Sequence, residues 1–120
     1  MVVPFRRRLT EEQRQYEFAR VKSKLDEFIP IIVEQGGGGS PPIDKEKFLV
    51  PTEVTFAQLS FVIRKRLKML PSDALFLIVK KQMFTGTCTV GNVYDTHHDP
   101  DGFLYVMYTN ENTFGGVFVL

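Results

Sequence analysis

Residues 36–42 read Gly36-Gly37-Gly38-Gly39-Ser40-Pro41-Pro42. Glycine loses more backbone entropy than any other residue on entering a helix or strand, and proline has no N–H to give to either ladder. The segment must therefore be a loop. Phe28-Ile29-Pro30-Ile31-Ile32-Val33-Glu34 precedes it, β-branched and extended in character, and Lys47-Phe48-Leu49-Val50-Pro51 follows it. A break of this kind between two strand-like runs turns the chain back on itself, so the pattern predicts an opening antiparallel hairpin. Pro30 cannot donate to a ladder, which pushes the start of its strand toward an edge or irregular position.

Helix signals stand on either side of the hairpin. Thr10-Glu11-Glu12-Gln13 is a capping box, and Phe18, Val21 and Leu25 follow at helical spacing. Thr55-Phe56-Ala57-Gln58 is a second capping box, and Leu59, Val62, Ile63 and Leu67 form an apolar stripe with Arg64, Lys65 and Lys68 outside it. That helix must end before Pro71. Leu75–Val79 is continuously apolar, like a strand covered on both faces. Val90–Thr96 reads as a short helix, Asp99-Pro100-Asp101-Gly102 as a turn and Phe103–Tyr108 as the last strand. The order predicts an α+β, ubiquitin-like β-grasp fold. It has a four-stranded mixed sheet, a helix crossing one face, the last strand central beside the first, and an N-terminal helical arm.

The 120 residues are enough for a single domain with a hydrophobic core, and one cysteine, Cys88, excludes an internal disulfide or a multi-cysteine zinc site. No apolar run approaches a membrane span, and Met1–Arg8 has no apolar segment after its basic residues, so a reducing, cytosolic setting is expected. Charge is unevenly spread: residues 43–81 carry eight basic and four acidic side chains, whereas residues 82–120 carry four acidic and no Lys or Arg. One face is thus prepared for acidic partners, with no general nucleic-acid footprint.

Ile29–Glu34, Asp44–Pro51, Val62–Leu67, Asp99–Tyr105 and Glu111-Asn112-Thr113-Phe114-Gly115 closely resemble the autophagy ubiquitin-like modifiers, the GABARAP and microtubule-associated protein light chain three group. The resemblance runs from about Phe5 to Gly115 with nearly constant spacing. It implies a precursor trimmed by a cysteine protease after Phe114-Gly115. The freed glycine then passes through thioesters on activating and conjugating enzymes to phosphatidylethanolamine. The resulting protein belongs to the cytoplasm and the autophagosome membrane, where it binds cargo receptors through an aromatic-x-x-aliphatic peptide. Three parts follow: an arm at 1–27, a ubiquitin-like domain at 28–115 and a disposable tail at 116–120.

The resemblance also implies a peptide groove along an edge strand at Lys47–Pro51, since an extended peptide adds to a free sheet edge as another strand. Its first pocket resembles Glu17, Val21, Pro30, Ile32, Lys47, Leu49 and Phe103; its second resembles Phe48, Val50, Pro51, Val54, Leu59 and Val62. Lys45, Lys47 and Arg66 would meet acidic residues flanking the peptide. No cofactor, metal or nucleic acid is expected, and the chain should be a monomer.

Other readings carry less. Asp95, His97, His98, Asp99 and Asp101 invite a metal, but a calcium loop begun at His97 has the wrong first ligand and Tyr108 in place of its closing glutamate. Cys88 beside a histidine would make a small hydrolase, although a lone thiol is more often a packing residue. Arg6-Arg7-Arg8 and Arg64-Lys65-Arg66 fit solvated faces. A ubiquitin-like adaptor that is never conjugated is the alternative function, but it has no need of Phe114-Gly115.

Overall fold

The computed structural model describes residues 3–22, 27–37, 40–110, 113–114 and 117–118. Two helices come first, α1 (Phe5–Arg8) and α2 (Glu11–Lys22), then strands β1 (Phe28–Gln35) and β2 (Lys47–Pro51). Helix α3 (Phe56–Arg66), strands β3 (Phe76–Val79) and β4 (Gln82–Met83), helix α4 (Val90–His97) and strand β5 (Leu104–Thr109) follow. The sheet runs β2-β1-β5-β3-β4, with β1 and β5 parallel at its centre and the other pairs antiparallel. The expected central last strand is present, and the expected hairpin pairs Ile31 with Phe48 and Ile29 with Val50. The sheet has five strands where four were expected. The extra one, β4, is a two-residue edge strand too short to leave a periodic signature.

Both capping boxes form. Thr55 Oγ1 accepts from Gln58 N at 3.2 Å and Gln58 Oε1 from Thr55 N at 2.9 Å; Thr10 and Gln13 repeat the exchange at 3.1 and 2.8 Å. Helix α3 buries Phe56, Leu59 and Ile63. Val62 does not join the predicted stripe; it is 44% exposed, because Phe56, Leu59 and Ile63 already set the buried arc and Val62 falls beside it. Pro30 is also placed differently from expectation. It is buried in β1, which is flanked on both sides, and pairing with β5 begins one residue later, at Ile31. The missing N–H therefore costs no ladder bond on that side.

Period two sorts the central strands onto two faces. Ile29, Ile31, Val33, Val50, Leu104, Val106 and Tyr108 join the α3 and α4 residues in the main core. On the opposite face, Ile32, Phe103 and Tyr105 are covered by Phe5, with Leu9 and Phe18 packed against them. Phe103 receives Phe5 and Phe18 edge-on, at centroid distances of 5.3 and 5.7 Å. The arm is thus packed on the sheet.

Two glycines permit close approaches. Gly36 donates its N–H to the Tyr108 carbonyl at 2.7 Å, and a Cβ there would stand 2.5 Å from that oxygen. The described ends of the glycine loop are tied to the end of β5. Ser40 Oγ accepts from Asn110 N at 3.2 Å, and Tyr108 donates its hydroxyl to the Pro41 carbonyl at 2.5 Å. The predicted loop is therefore anchored at both described ends, while residues 38–39 lie outside the described residues. Gly102, with φ +99°, sits where a Cβ would lie 2.6 Å from the Phe18 ring. Gly102→Ala should therefore destabilise the protein by about 2 kcal/mol, through backbone strain and a displaced ring. In chemical denaturation, Phe18→Ala should relieve only the ring part of that loss; equal stability of Gly102→Ala and the parent would exclude this packing.

Candidate functional site: the β2 edge and the arm

Strand β2 ends the sheet, so among the described residues one of its backbone edges faces no other strand. Its register with β1 pairs Leu49 with Pro30 and Lys47 with Ile32, which puts these four on the arm-covered face. Phe48 and Val50, opposite Ile31 and Ile29, face the main core. Alternation along the strand divides Leu49 from its neighbours: Leu49 is 37% exposed and Val50 7%.

A groove of about 500 Å³ lies beside β2 and brings together Val21, Lys45, Lys47, Phe48 and Leu49, with Arg20, Asp44 and Glu46 completing its wall. Glu17 stands at its border, where Lys47 Nζ donates to Glu17 Oε1 and Arg20 grips the same carboxylate at 2.7 and 3.1 Å. The bonds from Arg20 and then Lys47 hold the Glu17 carboxyl down at about 2. Pro30, Ile32 and Phe103 lie beneath the surface, with Ile32 and Phe103 closed over by the arm. The first set of predicted pocket residues thus divides into an accessible rim and a covered floor.

The second set is less collected. Val50 and Leu59 belong to the main core, and Phe48 and Val54 pack against it. Pro51 and Val62 are exposed. The Arg66 guanidinium lies 5.7 Å above the Phe48 ring and pairs with Asp44 at 3.1 Å.

Several residues that build the site give no sequence motif. Asp101 is 3% exposed; it accepts from Phe103 N at 2.9 Å, Tyr105 Oη at 2.5 Å and Arg14 Nε at 2.8 Å. Arg14 also donates to the Arg6 and Leu9 carbonyls at 2.8 Å each. Burial, then the bond to Asp101, pushes the Tyr105 hydroxyl well above its ordinary range. Arg6 stacks 3.7 Å over the Tyr105 ring and reaches Asp99 at 3.1 Å and Glu34. Burial raises the Glu34 carboxyl, with Arg6 acting against it. Arg8 pairs with Glu46. The Arg6-Arg7-Arg8 run is therefore more than a solvated arm.

Cys88 is half-buried, 3.4 Å from Thr85 Oγ1. His97 instead meets the Thr96 hydroxyl and the Phe84 ring, and His98 stacks on Tyr94. Among the described residues no three His, Cys, Asp or Glu side chains gather as a metal site. No described helix is long and apolar enough to cross a membrane. Thr113 and Phe114 pair with Phe118 and Val117, while Gly115, the predicted cleavage and lipidation residue, lies outside the described residues.

A model of the family described as "Autophagy protein Atg8 ubiquitin like" matches residues 13–115. The chain belongs to that family. Autophagy-related protein 8b of Arabidopsis thaliana is 43% identical over 108 residues, covering 89% of this chain and 88% of the relative. Autophagy-related protein 8A of Oryza sativa subsp. japonica is 43% identical over 105 residues, covering 87% and 88% respectively. The Atg8 match takes in α2 from Gln13 onward, the whole β2-β1-β5-β3-β4 sheet and the groove, and leaves out α1. The chain is thus an autophagy-related ubiquitin-like protein.

The Glu17 clasp has a signed pH dependence. A carboxyl held at about 2, against an ordinary 4.5, contributes its stabilisation fully above 4.5 and loses it as pH falls toward 2. Carboxyl NMR titration should place the Glu17 midpoint near 2, and Glu17→Gln should remove the acid dependence of α2 docking in that window. A midpoint of 4 or above means that Lys47 and Arg20 do not hold Glu17 in solution.

Proposed function

We propose that this Atg8-family protein is a ubiquitin-like modifier attached through Gly115 to phosphatidylethanolamine, and that it receives aromatic-x-x-aliphatic peptides of cargo receptors and adaptors along β2. The observation that carries the peptide part is the free β2 edge, bordered by the groove at Val21, Lys47 and Leu49. An extended peptide would gain main-chain hydrogen bonds to that edge, and its alternate side chains would face the two sides of the strand. The aromatic side chain fits the first residue set, Glu17, Val21, Pro30, Ile32, Lys47, Leu49 and Phe103. The aliphatic one fits Phe48, Val50, Pro51, Val54, Leu59 and Val62. Lys45, Lys47 and Arg66 offer cations to acidic flanks.

The modifier part rests on Phe114-Gly115 in a chain of this family. A processing cysteine protease would hydrolyse the 115–116 peptide bond and release the tail 116–120. The Gly115 carboxylate would be activated and passed as a thioester. The headgroup amine would then attack the thioester carbonyl, forming an amide and releasing the enzyme thiol. Glycine has no side chain to crowd that carbonyl. Residues 1–27 act as the arm and 28–115 as the conjugated domain, moving from the cytoplasm to the autophagosome membrane. The protein itself supplies no catalytic group.

A motif peptide should bind with roughly micromolar affinity, about −8 kcal/mol. Lys47→Glu and Phe48→Ala should each weaken it in calorimetry; unchanged binding by both variants would reject the groove.

Lipidation is compared in three forms: full-length, ending at Gly115, and Gly115→Ala. Only the form ending at Gly115 should be lipidated without the protease. A conjugated full-length chain in that reaction, or an alanine form as active as the trimmed one, would sink the mechanism. If none of the three is conjugated while peptide still binds, the unconjugated adaptor is the function.

A further inference from the structure

Exposed large apolar side chains are few among the described residues, and two of them outside the proposed peptide groove, Phe61 and Leu70, lie on or just beyond α3. Phe61 is 61% and Leu70 64% exposed. Residues 61–70 also carry Arg64, Lys65, Arg66 and Lys68 with no acidic residue. Arg66 is paired with Asp44, whereas Arg64, Lys65 and Lys68 form no ion pair among the described residues. Arg64 donates to the Leu70 and Asp73 carbonyls, which draws the Leu70 turn against the helix, and Lys65 Nζ lies 5.2 Å from the Phe61 ring. The nearby Asp73 carboxylate is turned onto the Leu70 N–H at 3.0 Å.

We propose that this face of α3 and its following turn is a docking surface for an anionic lipid bilayer. Its apolar groups protrude and are ringed by cations. Peptide hot spots instead sit in recessed, desolvated pockets. Protruding Phe and Leu among Lys and Arg match the boundary between acyl chains and headgroups, where the rings enter and the cations remain with the phosphates.

The topology adds an orientation. Phe76, which opens β3 after the Leu70 turn, pairs with Thr109 at the end of β5. The α3 face and the exit of the C-terminal segment therefore lie at the same end of the sheet. From Asn110 to Gly115 the chain spans at most about 17 Å, less than the protein's smallest extent of 26 Å. A lipid on Gly115 would hold this end toward the membrane. Only that orientation rests on the lipid linkage proposed above; the affinity of the face for anionic lipid rests on its own residues.

The chain contains no tryptophan, so Phe61→Trp is a single reporter in the otherwise unaltered, unconjugated full-length protein. With vesicles containing phosphatidylserine at low salt, its emission should shift to the blue and be quenched by brominated lipid. Pure phosphatidylcholine vesicles should leave it unchanged. Lys65→Ala and Lys68→Ala in that background should each lower the partition coefficient about fivefold, and binding should weaken as salt shortens the screening length. An unshifted reporter while the protein still floats with the vesicles places the contact elsewhere, as on the arm, and overturns the proposal. Charge variants that partition like their parent overturn it too. So does a reporter that responds to an acidic peptide but to neither vesicle. The unconjugated chain makes this result independent of Gly115 chemistry: failure here leaves the lipidation reading intact, and failure there leaves this one.

Discussion

The buried Asp101 carboxylate holds together the parts of the molecule that meet at the arm. Its three donors come from the turn itself, from β5 and from α2, through Phe103 N, Tyr105 Oη and Arg14 Nε. Arg14 carries the connection on to the Arg6 and Leu9 carbonyls, so one carboxylate fixes the turn, both aromatic rings and the link between the two arm helices. Removing one partner of such a buried pair costs about 3–5 kcal/mol, because the remaining charge is stranded away from water. The arm in turn covers Ile32 and Phe103, which would otherwise leave an apolar strip on the sheet. It also carries Glu17 and Val21 to the edge of β2.

The two faces of the sheet consequently do different work. The α3 and α4 face holds the main core and gives the domain its bulk stability. The arm face holds a small aromatic cluster, closed by ion pairs and ring contacts, and the groove lies at its border. Glu17 sits between Arg20 and Lys47, so two cations near the groove are already partly satisfied before any partner arrives.

Charge separation along the chain acquires a place in three dimensions. The basic middle segment supplies Lys45 and Lys47 at the β2 edge and Arg64 to Lys68 at the end of α3. The acidic residues of the last third include Asp99 and Asp101, which are spent on Arg6 and Arg14. Among the described residues, Arg64 and Lys65 near the end of α3 and Lys68 just beyond it have no such acidic partner.

Much of the fold was legible because it follows from local chemistry. The glycine and proline loop separates β1 from β2, the Thr-x-x-Gln boxes start α2 and α3, and period two assigns Leu49 and Val50 to opposite faces. These depend on capping geometry and side-chain alternation, which a short segment contains within itself. The resemblance to the autophagy modifiers, carried by motifs along the chain, named the groove residues and the family. Strand β4, α1 and the exposure of Val62 were not legible, since two or four residues have no period and a helix alone does not say which neighbours its buried arc will meet. Least legible was the joining of Arg14 to Asp101, 87 positions apart. Neither reads as a buried charge in the sequence, and only packing the arm against the turn before β5 buries Asp101 and most of Arg14. The sequence by itself determined the longer elements and their order; the tertiary structure alone decided which charges are buried, which apolar faces stay open and how far each groove residue is exposed, because those depend on contacts between segments far apart in the chain.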